Sequence, residues 1–208
     1  MIKDWRDRWG QGDFPFYFVQ LASYAANNGN SAVGSSWGEL RESQTLTLGL
    51  PHTGMAVTMD IGVSNDIHPR NKQDVGARLA AIALNNDYGM KREYSGPMYQ
   101  SMQVDGNKIR LSFSHAANGF MVKDKYGYLK GFEIAGDDRR FQYAKAHIEN
   151  NQVVVYNDNI ANPVAVRYGW ADDMPEVNLY NKEGFPASPF RTDNWKGITE
   201  EVKYTLWK

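Results

Sequence analysis

Asp66-Ile67-His68-Pro69 is the stretch of this chain whose residue types and spacing could do chemistry. A carboxylate two residues before an imidazole can fix the ring tautomer and stabilise the imidazolium that forms when the ring takes a proton, as a general base requires. Pro69 restricts the backbone of His68 to extended conformations, which holds the ring at one place on its loop. A second acid, Asp60, lies upstream on the same stretch. Paired groups of this kind also occur in purely structural networks, and spacing alone does not separate the two readings.

The elements that must position this loop can be read on either side of it. Residues 55–59 are apolar and β-prone, bracketed by Gly54 and Gly62, and predict a strand of a covered sheet. Sites in open α/β sheets lie beyond the carboxyl ends of such strands. A helix is expected from about Asn71, with Val75, Leu79, Ile82 and Ala83 at helical spacing and Tyr88-Gly89 closing it. Upstream, residues 4–9 read as the last turn of a helix that begins outside the chain, and residues 10–13 break it. Residues 14–21 form an aromatic, apolar run of strand length. Residues 27–34 read as a polar loop, and Ser36 and Glu39 have capping-box spacing, so a helix carrying Leu40, Gln44 and Leu48 is expected from near Trp37. Strand, helix, strand, helix with short connections is the pattern of a parallel α/β sheet. Two strands do not make a stable doubly wound domain, so residues 1 to about 92 are expected to be the second half of one.

Composition narrows the function classes. The 208 residues allow one or two domains, and 42% hydrophobic with 13% aromatic content supplies a core. Basic and acidic residues number 23 and 24 and are mixed along the chain, so there is no electrostatic footprint for nucleic acid or an anionic membrane. No apolar run is long enough to span a bilayer, and the N-terminal residues lack the apolar core of a signal peptide, which leaves the compartment open. The absence of cysteine excludes disulfides, thiolate catalysis and Cys-based zinc sites. His52, His115 and His147 are not at metal-ligand spacing, and no Gly-rich phosphate loop is present, so neither metal nor cofactor is expected.

Beyond Ser95-Gly96-Pro97 the pattern changes to short strands at 108–113, 129–134, 152–156 and 164–168, separated by turns such as residues 105–107 and 157–159. This is an antiparallel β unit, sandwich or jelly-roll-like. Residues 143–147 suit a helical turn or a further strand. The last forty residues read as irregular, ending in a strand over 201–207. His115 reads as a half-buried sheet residue.

A hydrolase built on the His68 loop needs a nucleophile and an oxyanion hole. Ser35 and Ser36 read as helix caps, and Ser23, Ser43 and Ser64 have no special context. Arg41 and Gln44 lie three apart on one predicted helix, so both can face one neighbour, or both can face solvent. Arg191-Thr-Asp193 follows Pro189-Phe190 in an irregular segment, as a site element or as a salt bridge.

Several blocks taken together resemble the sialate O-acetylesterase family of SGNH-type carbohydrate esterases. They are Phe14-Pro-Phe-Tyr-Phe-Val-Gln-Leu, Trp37-x-x-Leu-Arg41-x-x-Gln44, Gly54-Met-Ala-Val-Thr-x-Asp60-Ile-Gly, Asp66-Ile-His68-Pro69-Arg-x-Lys72-Gln, Val75-Gly-x-Arg78-Leu79, Arg167-Tyr-x-Trp170-Ala and Pro189-Phe-Arg-Thr-Asp193. The resemblance implies an α/β partial SGNH (flavodoxin-like) half-domain over residues 1–92, followed by an antiparallel β domain over 93–208. It implies a serine esterase acting on O-acetylated sugars, with His68 as base and Arg41, Gln44 and Arg191 as substrate-binding residues. The position three before the histidine, usually the triad Asp, is Asn65 here. Asp66 is therefore the first candidate for the acid, Asp60 the second, and a backbone carbonyl a third. The Gly-Gln-Ser-Asn-type nucleophile block of the family does not occur, so a Ser-bearing segment is expected as partner. The alternatives are an acetyl xylan esterase, or a non-catalytic sugar-binding β module that stacks sugars on Trp170, Tyr180, Phe185 and Trp195.

Overall fold

In the computed structural model, residues 1–203 are described. The first helix, α1 (Ile2–Trp9), has two turns rather than a final one, and ends on Gly10 in the left-handed region with φ 63°. Buried Arg6 donates from α1 to the carbonyls of Phe14 at 2.7 Å and Pro51 at 2.9 Å, tying the helix to the starts of two strands. Those strands, β1 (Phe16–Val19) and β2 (Thr53–Ala56), are shorter than the apolar runs that predict them and pair in parallel, with Phe16 opposite Thr53 and Val19 opposite Ala56. Between them lies α2 (Ser36–Leu46), followed by a 3₁₀ turn at Thr47–Gly49 that takes up Leu48.

The cap of α2 sits one residue earlier than its spacing predicts. Ser35 has the extended backbone of an N-cap and its hydroxyl accepts from Gly38 N–H at 2.9 Å. Glu39 does not reach back to close a capping box; its carboxylate takes the N–H groups of Ile198 at 2.7 Å and Thr199 at 2.9 Å. The third helix, α3 (Lys72–Asn86), starts where expected, with Asn71 capping it through Asp74 N–H. Ile82 of α3 packs directly on Gly54 of β2, where a Cβ would stand 2.4 Å from the Ile82 methyl.

Two strands follow Ser95-Gly96-Pro97: β3 (Met98–Asp105), which sequence patterning missed, and β4 (Lys108–Ser114). Then come β5 (Phe120–Val122), β6 (Phe132–Ala135), β7 (Gln142–Tyr143), β8 (Lys145–Glu149) and β9 (Gln152–Tyr156). The last are β10 (Ala165–Tyr168), β11 (Leu179–Asn181) and β12 (Phe190–Arg191). Residues 143–147 thus fall in β7 and β8, with Ala144 between the two strands, and β11 and β12 order a tail expected to be irregular. Residues 201–203 are not strand, and the remainder of the strand expected over 201–207 lies outside the described residues.

Among the described residues all strand pairing beyond Pro97 is antiparallel, in sheets ordered β3-β4-β9-β8, β12-β10-β6-β7 and β11-β5. The chain is therefore mixed α/β with mainly antiparallel sheets. Tight hairpins set the register: Asn150 and Asn151, at φ 48° and 58°, connect β8 to β9, since Asn tolerates the left-handed region a two-residue turn demands. Ile109 and Leu111 on one face of β4 meet Val153 and Val155 of β9, Phe132 and Ile134 of β6, and Val166 of β10 in one buried cluster. Met59, just after β2, is buried in the same cluster, so the loop bearing the candidate base is anchored in the β core.

Candidate active site

The segment from β2 to α3 is fixed at its base and open at its tip. Thr58 donates to Gln20 O at 2.6 Å, which prolongs the contact with the chain leaving β1. Met59 O accepts from Ser23 Oγ at 2.9 Å. Gly62 lies so close to Ser23 that a Cβ would meet its backbone oxygen at 2.4 Å and nitrogen at 2.5 Å. Asp60 accepts from both terminal nitrogens of Arg78 at 2.7 Å and from the Tyr180 hydroxyl at 2.9 Å. Burial foremost, and then the Asp60 charge, push the Tyr180 phenol up, so it stays a donor. With every near partner supplied by Arg78 and Tyr180, Asp60 is committed to the fold, and the acid bonded to His68 is Asp66.

At the tip, Asp66 N–H closes a turn on Val63 O at 3.0 Å. The Asp66 carboxylate accepts from His68 N–H at 2.9 Å and lies 3.3 Å from the ring Nδ1. The backbone bond first, and the ring contact after it, hold the Asp66 carboxyl below the usual carboxylate range, so it is charged at neutral pH. With Nδ1 beside that carboxylate, Nε2 is the nitrogen available to take a proton. The His68 side chain is 84% exposed, so the ring faces outward from this chain.

Arg41 and Gln44 are brought to the chain leaving β1. Arg41 is fully buried; its guanidinium donates to the carbonyls of Leu21, Ala22, Ala171 and Asp172 at 2.5–2.9 Å. Burial lowers its pKa to about 10, still cationic at neutral pH. Gln44 accepts from Leu21 N–H at 2.9 Å. Asp172, which no sequence pattern singled out, accepts from Asn27 N–H, Gly29 N–H and the Ser35 hydroxyl and so pins residues 27–35. Ser23 and Ser43 donate to backbone carbonyls, and Ser35 to Asp172, so each of these hydroxyls serves the fold.

Arg191 lines a cleft of about 230 Å³ together with Arg139, Phe141, Arg167, Trp170 and Trp195. Its guanidinium is bidentate to Glu42 at 2.8 and 2.9 Å and donates to Trp195 O at 2.6 Å. Asp193 is likewise bidentate to Arg167 at 2.9 and 3.0 Å. Trp170 and Tyr180 are 2% and 4% exposed, which removes them as sugar platforms; of the aromatic tail, Trp195 borders this cleft and Phe185 another. His115 follows β4 in the left-handed region with φ 56° and pairs through Nδ1 with Glu93 at 2.7 Å, rather than sitting in a sheet. Among the described residues no group of three His, Cys, Asp or Glu side chains is placed to hold a metal ion, and no helix is long and apolar enough to cross a membrane.

No family model matches the chain. Curated relatives do: it is 30% identical to the sialate O-acetylesterase of Mus musculus, over 91% of this chain and 39% of that protein. It is 29% identical to the sialate O-acetylesterase of Homo sapiens, over 91% of this chain and 40% of that protein. A solved structure, that of a carbohydrate acetylesterase from Xanthomonas citri, superposes with a TM-score of 0.88 at 45% identity, covering 94% of this chain and 45% of that one. The chain thus spans about two fifths of the length of the curated relatives it matches. Across nearly all of its residues the chain is thus similar in sequence to sialate O-acetylesterases and in fold to a carbohydrate acetylesterase.

Proposed function

We propose that this chain carries the general base of a carbohydrate O-acetylesterase, with His68 as the base, Asp66 as its orienting acid, and a serine nucleophile supplied by a segment outside these 208 residues. The observation that carries the reading is the Asp66–His68 pair, with Nδ1 at 3.3 Å from the carboxylate and Nε2 facing outward. In this scheme Nε2 takes the serine hydroxyl proton as Oγ bonds the acetyl carbon, and returns it to the sugar oxygen as the ester C–O bond breaks. Water then loses a proton to the same nitrogen as its oxygen bonds the acyl carbon, and that proton passes to the serine oxygen as the acyl–Oγ bond breaks and acetate leaves. The exposure of His68, and the commitment of Ser23, Ser35 and Ser43 to the fold, support a nucleophile from elsewhere.

On this reading residues 1–92 are the C-terminal half of an SGNH-type α/β domain and residues 93–208 a β unit packed against it. Arg41 and Gln44 act as positioning residues, since their side chains hold residues 19–22 where β1 ends. Arg191 contributes a wall of the substrate cleft. The similar Xanthomonas citri protein is a carbohydrate acetylesterase, which favours a second reading with the same chemistry on other acetylated sugars, xylan included.

The test is hydrolysis of p-nitrophenyl acetate and of 9-O-acetylated sialic acid, by this chain alone and mixed with a Ser-bearing segment of a relative. Activity that needs the mixture and disappears in His68→Ala is the expected result. Activity of the chain alone would place the nucleophile among its own serines and overturn the external one.

A further inference from the structure

A second cleft, of about 260 Å³, opens where α3 meets the segment after β11. Asp74, Arg78 and Ala81 line it from α3, Arg92 from the segment leading to β3, Lys123 from the end of β5, and Phe185 from beyond β11. Of its three cations one is already spent, since Arg78 is buried and bidentate to Asp60. Arg92 and Lys123 are exposed and make no ion pair among the described residues. Carboxylates stand next to both in the chain, but each has taken another partner. Glu93 is bonded to His115 at 2.7 Å, and Asp124 to Lys130 at 2.8 Å. The carboxylate in the lining, Asp74, accepts from Asn71 Nδ2 at 2.8 Å.

The backbones that carry these two cations are fixed. Lys123 N–H donates to Asn178 O at 3.1 Å, and the Lys123 ammonium stands 3.8 Å from the centre of the Tyr180 ring. The ring attracts the ammonium and leaves N–H donors on its far side for a ligand. The Asn85 amide of α3 faces the backbone of residue 92, and the bond from Glu93 to His115 fixes the next residue. Fixing both backbones in advance lowers the cost of ordering the site around a ligand. Phe185 supplies an apolar wall beside Ala81, and its own N–H and carbonyl are both bonded to Asn181. Two uncommitted cations match a dianion, which a phosphate group supplies and a carboxylate does not. The volume lies below the roughly 300–1,000 Å³ of drug-sized sites, so the group carrying that phosphate is small.

We propose that this cleft binds a small phosphate monoester, its dianion held between Arg92 and Lys123 and its apolar part against Phe185. The site is separate from the Asp66–His68 pair and rests on no part of the esterase reading. It borders the framework of the catalytic loop all the same. Arg78 in the cleft holds Asp60, and Lys123 lies over Tyr180, whose hydroxyl donates to Asp60 at 2.9 Å. An occupant joins α3 to the β unit, so it stabilises the folded chain by mass action as it binds.

The experiment is calorimetric titration of the 208-residue chain with phenyl phosphate, inorganic phosphate and benzenesulfonate at constant ionic strength. It is run at about pH 7.5, where a phosphate with a second pKa of about 6 is a dianion. Phenyl phosphate is expected to saturate a single site and to bind about tenfold or more tighter than the singly charged benzenesulfonate, the factor that one charge-assisted contact supplies. Inorganic phosphate should bind more weakly than the monoester, because it leaves Phe185 uncovered. Arg92→Gln and Lys123→Gln should each weaken phenyl phosphate by about tenfold, and Asp74→Asn should tighten it. Lys125→Gln, on the same loop but outside the cleft lining, should change nothing. All four substitutions are at exposed positions, and an unchanged melting temperature without ligand shows that each variant folds. No saturation, equal affinity for phenyl phosphate and benzenesulfonate, inorganic phosphate binding as tightly as the monoester, or full affinity in Arg92→Gln and Lys123→Gln would each overturn the proposal. None of these readings depends on ester hydrolysis, so failure here is distinct from failure of the esterase assignment.

Discussion

Asp60 and Arg78 face each other through two 2.7 Å hydrogen bonds, with side chains 3% and 8% exposed. This pair joins the loop after β2 to α3, and Tyr180 extends it into the β sheets. Removing one partner leaves a buried charge without compensation, so Arg78→Ala should destabilise the chain by about 3–5 kcal/mol. Tyr180→Phe, which deletes one bond to a carboxylate, should cost roughly 1–3 kcal/mol. Urea denaturation followed by fluorescence measures both, and an Arg78→Ala loss below that of Tyr180→Phe would contradict the ranking.

His68 stands outside any such network, so His68→Ala should change stability by less than about 0.5 kcal/mol. In a protein that also supplies the nucleophile it should lower kcat by about 10²–10⁴-fold, the range for loss of a general base. Asp66→Asn should lower kcat less than His68→Ala does, because the ring keeps its nitrogen and loses only its orienting charge. A full-activity His68→Ala protein would end the assignment of the base.

Gly62 faces the backbone of Ser23 at a distance no Cβ can occupy. Gly62→Ala must push the His68 loop away from residue 23, and should cost about 1–3 kcal/mol, the range for overpacking, while reducing kcat in the active protein. Gly76→Ala on α3, where a Cβ meets nothing within 4 Å, is the control and should stabilise the helix by about 0.5–1 kcal/mol.

Glu93 and His115 link the segment after α3 to the loop after β4. Burial acts to raise the Glu93 carboxyl, but the bonds from His115 and from the N–H groups of Tyr94 and Ser95 outweigh it and hold the carboxyl below its usual range. The folded state therefore binds the proton less readily than the unfolded chain. The stabilisation is fully present above the unfolded value of about 4.3 and fades as pH falls through the lower folded one. Glu93→Gln should remove about 1 kcal/mol at pH 7 and progressively less below pH ~4, read from urea midpoints across pH. A difference between the two proteins that grew on acidification would reverse the sign.

Arg41 is a buried arginine whose partners among the described residues are four backbone carbonyls. Arg41→Met should cost about 3–5 kcal/mol by orphaning acceptors, and Arg41→Lys should recover only part of it, since an ammonium has three donors and no fork. Recovery of full stability by lysine would show that charge, rather than geometry, is what the site uses.

What the sequence made legible is what neighbouring residues decide. The parallel β-α-β order, the start of α3 at Asn71, the turn after Asp105 and the Asp66–His68 contact all depend on bonds within a few positions, so spacing carries them. The capping box failed by one residue because Ser35 has a partner far along the chain, Asp172, and Glu39 has another at Ile198 and Thr199. Strand β3 was missed since its burial alternates weakly, with an exposed edge and a register shift between Tyr99 and Ser101.

By itself, then, the sequence determined a mixed α/β chain with a histidine–carboxylate pair on the loop after its second strand. Only the tertiary structure decided that Asp60 belongs to Arg78 and Tyr180, that Arg41 braces backbone, and that Arg191 meets Glu42 across 149 residues. The physical reason is common to all three. A buried charge takes whichever partner the packed sheets and helices bring within about 3 Å, and that choice leaves no periodicity in the chain.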